Sequence, residues 1–426
     1  MIIGTIRFMY LGWIEDHYIK PKFHFKYWGF EWIEPVSSHY LYAIHYLMIL
    51  AALGVMFAQK TLYKVAAIVL FLCFTYTELI DLTYYLNHYY FVSCVCFLLI
   101  FVQTPSPLGR RGVGLFGGNV PNWCILVLKL QISFVYIYAG LAKINYDWLF
   151  NALPLKIWLP AHDKMPIIGT IFTWQITPYV FSWVGMLYDC TIIFFLINKK
   201  TRFFAYLTVI VFHILTGLLF QIGVFPLVMI GATLIFFDWD FLNKTTPSPS
   251  LGRRGALFLS SLEGVRNEAL SPSFLGGVRG GILIIFFLFQ IIFPLRFLCY
   301  ESNLFWSEEG YRFSWRVMLM EKAGTATFYV KNPVTGKEGI VDNAEFLNSH
   351  QEKQMAMQPD MILQFAHFLG NHYQKTSKTP NLVPSVRVEA YITLNGKPSK
   401  LLIDPNINLM NEKDTFAPKK WILSYK

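Results

Sequence analysis

The chain has 426 residues, of which 55% are hydrophobic and only 15% are charged. Soluble domains carry roughly a quarter charged residues, so this composition excludes an ordinary soluble protein and indicates a membrane protein. The formal net charge is +10, and many of the Lys and Arg residues lie in short loops. Basic residues in such loops indicate membrane topology and not nucleic-acid binding. The six cysteines form no Cys-x-x-Cys pair, which argues against a zinc or redox centre.

Apolar runs recur along the first 300 residues. The stretch from Met1 to Ile14 is apolar but shorter than the roughly 20 residues that a span needs, so an incomplete or interfacial first span is expected. The later runs predict a mainly α-helical polytopic membrane domain over residues 1–300, with about seven to nine spans. They lie at about 41–59, 64–82, 89–103, 122–143, 172–197, 203–222, 223–239 and 281–299.

Two stretches rich in proline, glycine, serine and arginine interrupt this pattern. The sequence TPSPLGRRG at residues 104–112 recurs with one extra residue at 246–255, and a looser copy lies at 271–280. Such segments carry no hydrophobic face to bury, and extra loop length costs little free energy. The sequence therefore predicts flexible insert loops at about 104–118 and 244–280.

Beyond Tyr300 the composition becomes more polar and the apolar runs shorten to the length of strands. Four runs predict strands, at 325–330, 339–341, 386–393 and 399–403. Asn395-Gly396 separates the last two, and this dipeptide is a strong signal for a hairpin. Helical spacing extends from Asp360 to Tyr373. The sequence predicts a soluble β-rich domain with one helix over residues 301–426.

The candidates for function are the ionisable side chains of the apolar half. Lys143 lies in an apolar, aromatic segment from Gln131 to Trp148, where an ionisable residue is a functional-site hypothesis. Burial disfavours the charged form of an amine, so a neutral nitrogen suited to general-base catalysis is expected. The alternative is a lysine that extends its ammonium to water, which Asn145 and Asp147 directly after it favour.

Further polar groups lie in the same half of the chain: Glu78, Asp81, Asn87, His88, Asp189 and His213. Glu78 and Asp81 are three residues apart and are predicted to share one helix face as structural groups, paired with a cation or a backbone group. A single buried histidine is more often a core residue than a catalyst. Burying all these groups separately would cost much desolvation free energy, so we interpret them, with Lys143, as one shared internal site.

Other chemistries leave no pattern in the sequence. The spans contain neither His-x-x-x-His nor Glu-x-x-His, so no metal site is predicted. A Gly-x-Ser-x-Gly nucleophile motif and a phosphate-binding glycine loop are also missing. The residues alone predict proton chemistry in a membrane pocket and leave its substrate open.

Five blocks of the sequence are familiar from one enzyme family. They are residues 81–90, 136–148, 187–189, 212–225 and 310–318. In this order they resemble blocks of the vitamin K-dependent gamma-carboxylase family. Residues 136–148 are similar to its segment with the catalytic lysine, and residues 81–90 to its Asn-His motif. The order of the five blocks makes this resemblance more specific than any block alone.

The resemblance implies a reaction. O2 oxidises reduced vitamin K, a hydroquinone of the menaquinone or phylloquinone type, to its epoxide, and this oxidation drives removal of a glutamate γ-proton, after which CO2 is added. It implies that Lys143 is the base for the hydroquinone and that His88, beside Asn87, donates a hydrogen bond to developing negative charge. Three further residues would line the pocket: His213, Tyr311 and Trp315.

The chain also departs from the animal enzymes of this family. Leu82 follows Asp81 where a basic residue is expected. The chain is far shorter than the animal enzymes, and their extra C-terminal region is missing. We therefore expect a bacterial relative in the cytoplasmic membrane, acting on a glutamate-containing peptide or protein. Two alternatives stay open: a hydroquinone epoxidase that does not carboxylate protein, and a non-enzymatic membrane scaffold whose polar groups fix helix packing.

Overall fold

A computed structural model describes residues 1–102, 121–220, 222–237, 278–376 and 382–425. The predicted insert loop at 104–118 lies outside the described residues. The second predicted loop, at 244–280, also lies outside them except for residues 278–280, which already belong to a helix.

The N-terminal region is built from helices, most of which are apolar. They are α1 (Ile2–Tyr10), α2 (Ser38–Phe57), α3 (Lys60–Leu79), α4 (Asn87–Phe101), α5 (Asn122–Ala142), α6 (Tyr146–Leu149), α7 (Leu155–Trp158), α8 (Thr177–Ile197), α9 (Arg202–Leu219), α10 (Phe225–Thr233) and α11 (Val278–Ile292). A 3₁₀ segment, Phe293–Cys299, continues α11. The stretch at the start of the chain forms only the nine-residue α1.

Six helices of the described ranges are long and apolar enough to cross a membrane: α2, α3, α5, α8, α9 and α11 with its continuation to Cys299. Two shorter apolar helices, Asn87–Phe101 and Phe225–Phe236, accompany them. The predicted polytopic α-helical architecture is thus confirmed, and the eight predicted runs correspond to these six long helices and two shorter ones.

Neighbouring helices run antiparallel, so the end of one helix and the start of its neighbour lie on the same side of the helical region. Tyr63 of α3 contacts Leu99 near the end of α4, whereas Phe74 contacts Tyr89 near its start. The α5–α8 pair is also antiparallel. The end of α3, the start of α4, the end of α5 and the start of α8 therefore share one side, which we call the domain side. The C-terminal domain lies there, because Asn87 at the start of α4 bonds to the loop after the last span.

The C-terminal domain contains a four-stranded antiparallel sheet in the order β2-β1-β3-β4. The strands are β1 (Lys322–Lys331), β2 (Glu338–Ile340), β3 (Ser385–Leu394) and β4 (Lys400–Leu401). Alternate residues of β3 are buried, as expected for a strand with one face on a core. The β-rich prediction for this region is confirmed, while the domain boundary at residue 300 stays a prediction.

The prediction of one helix in this domain was wrong. After the short α12 (Leu304–Ser307), two longer helices, α13 (Ser349–Met357) and α14 (Pro359–Thr376), pack against the sheet. The segment of α13 is too polar to show an apolar stripe. Its start carries a capping box formed by Asn348 and Gln351, and this pattern was the available sequence signal.

The prediction that Glu78 and Asp81 share a helix face was also wrong. Helix α3 ends at Leu79, and Asp81 has an extended backbone with φ −143° and ψ 117°. Its buried carboxylate accepts hydrogen bonds from the Thr83 backbone N–H and from Gln351 Nε2 of α13, 2.6 Å away. Asp81 Oδ2 also lies 3.1 Å from His24 Nδ1. Asp81 therefore ties the α3–α4 loop to the C-terminal domain.

Candidate functional site

A cavity of about 750 Å³ lies where the domain side of the helices meets the C-terminal domain. Its wall is formed by α1, the end of α3, the start of α4, the segment before α10, the loop after the last span, and α13. This volume is typical of pockets that bind small organic molecules. The cavity therefore combines residues of both sequence regions in one site.

The Asn87-His88 motif begins helix α4 and faces this cavity. Asn87 is fixed on both sides, since its Oδ1 accepts a hydrogen bond from the Tyr85 hydroxyl and its Nδ2 donates to the Arg316 carbonyl, 2.9 Å away. The His88 side chain is 7% exposed and makes no hydrogen bond to any described residue. Its ring nitrogens are therefore available to a ligand.

Lys143 follows directly on the last residue of α5 and forms a buried ion pair with Asp189 in the middle of α8. Lys143 Nζ lies 2.6 Å from Asp189 Oδ2 and 3.3 Å from the Ala139 carbonyl, and both side chains are more than nine-tenths buried. The Trp148 ring covers the ammonium at 5.6 Å. Lys143 thus points back along α5 into the protein, which argues against a lysine that extends to water.

Lys143 was expected to be an isolated, neutral amine because of its burial alone. The sequence did not indicate this partner. Asp189, which was assigned from the sequence to the same internal site, is the hydrogen-bonded partner of Lys143. Charge-assisted hydrogen bonds between an amine and a carboxylate are stronger than those between neutral groups. The two buried groups therefore satisfy each other within the protein.

Gly140 permits the close packing of α5 and α8 that forms the pair. A Cβ atom at this position would lie 2.6 Å from Cys190 Sγ and 2.7 Å from the Cys190 backbone nitrogen. Small residues let membrane helices approach closely, and here the approach brings Asp189 within reach of Lys143.

A Gly140→Val substitution is expected to push α5 and α8 apart and to lower the free energy of unfolding by about 1–3 kcal/mol, as overpacking does. Thermal unfolding of the detergent-solubilised protein measures the effect. Gly231→Val in α10 is the matched control, because no atom lies within 4 Å of the added Cβ there. Equal losses of stability in the two variants would contradict the packing argument.

His213 lies behind the cavity wall. Its Nε2 is 2.8 Å from the Tyr136 hydroxyl of α5, and its Nδ1 has no partner among the described residues. The Phe225 ring lies 5.8 Å from both the His213 ring and the His88 ring. Because Phe225 lines the cavity and His213 does not, this phenylalanine separates the two histidines.

The predicted residues Tyr311 and Trp315 take different places in the loop after the last span. Tyr311 lines the cavity, whereas Trp315 is completely buried behind it and stacks on Tyr90 at 4.8 Å. Trp315 has a positive φ of 57°, as do Phe313 and Met318 with 59° and 56°. Bulky residues adopt this left-handed conformation only where their surroundings impose it, so the path of the loop is firmly set.

The predicted residues line the cavity only in part. Glu78, Asn87, His88 and Tyr311 line it, whereas Lys143, Asp189, His213 and Trp315 do not. The sequence could not show this division, because the Phe225 ring that separates His88 from His213 comes from another segment.

Sequence reasoning missed the charged groups of the loop after the last span. Arg312 Nη1 lies 2.5 Å from Asp360 Oδ2, and Lys322 Nζ lies 2.8 Å from Glu308 Oε1. Burial alone would raise the pKa of Asp360, but the Arg312 guanidinium overrides it, so this pKa lies below its usual value. Basic residues after a span are expected at any membrane interface, and their pattern does not indicate which are buried.

In the part of the chain that the structure describes, no group of three or more His, Cys, Asp or Glu side chains is placed to hold a metal ion. The chemistry available in the cavity is hydrogen bonding by His88 and Tyr311, positive charge from the loop, and apolar surface from aromatic and methionine side chains.

Two family models match the chain. The model of the HTTM domain matches residues 1–241, which is more than half of the chain. The model of the vitamin K-dependent gamma-carboxylase, lumenal domain, matches residues 277–426. No solved structure matches the chain.

Proposed function

Because this chain belongs to the vitamin K-dependent gamma-carboxylase family of multi-pass membrane proteins, we propose that it is a gamma-glutamyl carboxylase that depends on vitamin K. One hydroquinone and one O2 would give one epoxide and one water, while CO2 would replace the γ-proton of a glutamate side chain. The observation that carries the proposal is the cavity at the junction of the two matched regions, lined by the Asn87-His88 motif and by Tyr311.

The residues of the cavity suit a vitamin K hydroquinone. Apolar side chains from five segments, among them Met48, Phe74, Tyr89, Phe225 and Met318, would hold a fused ring system and an isoprenoid tail. When bound, the hydroquinone would supply with O2 the strong base that no protein side chain provides.

His88 and the ion pair would divide the protein's part of the work. The unpartnered His88 would donate a hydrogen bond to negative charge as it develops in the cavity, where low polarity strengthens the interaction. With the proton of the pair on Asp189, Lys143 would be a neutral amine that takes up the proton released by the hydroquinone. Lys143 does not line the cavity, and the hydrogen-bonded side chains of Tyr136 and His213, 2.8 Å apart, are the groups we propose to pass this proton on, because a phenol and an imidazole both donate and accept.

The description of the second matching family model supports an orientation. Basic residues occur on both sides of the helices, with Lys199 and Lys200 opposite the domain side and Lys156 and Lys164 in the α5–α8 connection on the domain side. The C-terminal region matches the model of a lumenal domain. We therefore propose that the cavity and the C-terminal domain face away from the cytoplasm. We propose a bacterial cytoplasmic membrane and an exported glutamyl peptide or protein as substrate.

Turnover by the purified full-length protein tests the proposal. Reduced vitamin K and O2 would be supplied with or without CO2 and a glutamyl peptide, and epoxide and carboxylated peptide would be quantified by mass spectrometry. Epoxide coupled to carboxylated peptide is the expected result. Epoxide formed without any dependence on CO2 or peptide would identify a hydroquinone epoxidase that shares this cavity. Neither product, from protein with a cooperative unfolding transition, would favour a membrane scaffold.

A further inference from the structure

Arg316 differs from the other buried cations of the cavity because its charge has no partner in the described protein. Its side chain is only 7% exposed, its Nε has no hydrogen-bond acceptor, and no ion pair involves its guanidinium. Its principal contact is the Phe297 ring, 4.3 Å from Cζ. Burial lowers the pKa of Arg316 to about 10, so the side chain is still a cation at neutral pH.

The neighbouring buried cations of the cavity lining are all neutralised from within the protein. Arg312 is held by Asp360 and Gln358, and Lys322 by Glu308 and the Trp306 carbonyl. A buried charge without a counter-ion is costly, and proteins seldom keep one unless something else pairs with it. The lining thus provides one guanidinium for an anion that none of the described residues supplies.

The position of Arg316 connects it to the proposed chemistry. Its carbonyl accepts the hydrogen bond from Asn87, so its backbone is fixed beside His88. Tyr311 lines the same cavity, and its hydroxyl bonds to no described residue. Burial raises the pKa of Tyr311, so this hydroxyl stays protonated and can donate a second hydrogen bond to an anion. The neighbouring Trp315, stacked on Tyr90, holds the loop in place.

We infer that Arg316 binds the γ-carboxylate of the substrate glutamate, an assignment that rests on the proposed function. The planar fork of a guanidinium matches a carboxylate with two parallel hydrogen bonds. A hydroquinone is neutral when it binds and becomes an anion only after it releases its proton, whereas a carboxylate neutralises the buried charge as soon as it binds. The same contact would stabilise the negative charge that develops when the neighbouring γ-carbon loses its proton. Arg316 would therefore distinguish glutamate from glutamine.

Direct binding to the full-length protein in detergent, without any quinone, tests the inference. The probes are a blocked tripeptide with a central glutamate and the same peptide with glutamine, measured by microscale thermophoresis. A charge-assisted pair predicts that the glutamyl peptide binds about 10-fold to 100-fold more tightly. Arg316→Gln is expected to abolish this preference and Arg316→Lys to restore part of it. Arg7→Gln is the control, since Arg7 is an exposed cation of the same cavity.

The outcomes separate the inference from the proposed function. The inference would be overturned if the wild-type protein did not prefer the glutamyl peptide over the glutaminyl peptide. It would also be overturned if an Arg316→Gln protein with a normal unfolding midpoint kept this preference. A third contrary result is a variant whose KM rises for the quinone and not for the peptide. If the preference depends on Arg316 but no epoxide forms under any condition, the inference stands and the proposed function fails.

Discussion

Replacing Lys143 by alanine is expected to lower the rate of epoxide formation by about 10²-fold to 10⁴-fold, the usual contribution of a general acid or base. The reason is structural, because Lys143 and Asp189 form the buried pair, 2.6 Å apart, that would receive the proton from the hydroquinone. The initial rate of epoxide formation under saturating hydroquinone measures the effect. Lys164→Ala is the control, since Lys164 is an exposed lysine of the segment after α5.

The Lys143→Ala variant also leaves Asp189 as an unpaired buried carboxylate, which typically costs about 3–5 kcal/mol of stability. A double variant, Lys143→Met with Asp189→Asn, removes both charges and should recover most of this stability without recovering turnover. Wild-type turnover in either folded variant would rule out the lysine as the base. Turnover restored together with stability would reduce the pair to a packing role.

Replacing His88 by alanine is expected to lower kcat by about 10²-fold to 10³-fold, as the loss of one donor to developing charge does. The imidazole lines the cavity and is free of hydrogen bonds to described residues, so its removal should disturb the fold little. The measurement is kcat for epoxide formation together with the unfolding midpoint.

His45→Ala is a matched control for His88→Ala. His45 is a buried histidine that lines the same cavity, but its Nδ1 lies 2.8 Å from the Leu41 carbonyl of its own helix. We expect this variant to keep kcat within a fewfold of the wild type. A similar loss of kcat in both variants would mean that turnover requires side chains that fill the cavity, and not a hydrogen-bond donor at His88.

Local sequence patterns were informative where one segment determines the structure. The Asn395-Gly396 turn has positive φ at both residues, 53° and 72°, as a hairpin at this dipeptide requires. Helix α14 was predicted because it has an apolar stripe that faces the sheet, and α13 was missed because its sequence is too polar to show such a stripe. The apolar runs likewise indicated the spanning helices.

The arrangement of the candidate site depends on contacts between distant segments, and the sequence could not show these contacts. Lys143 was expected to be neutral because its partner lies 46 residues away on another helix. The polar groups were expected to share one site because nothing in the sequence indicated that the Phe225 ring lies between His88 and His213. Arg316 was overlooked because a cation after a span is ordinary, and only the structure shows that it is buried and unpaired.

The hydrogen bonds of Asp81 have a consequence for how this protein can change in evolution. Its buried carboxylate meets His24 and Gln351, whose positions in the chain are 57 and 270 residues from it. Loss of Asp81 removes the partner of the buried His24 ring, and loss of His24 or Gln351 removes one of the groups that the buried carboxylate meets, so single exchanges are penalised while concerted ones are tolerated. Selection therefore acts on the three positions as one unit, and recombination between divergent relatives at a crossover between residues 81 and 351 would break it.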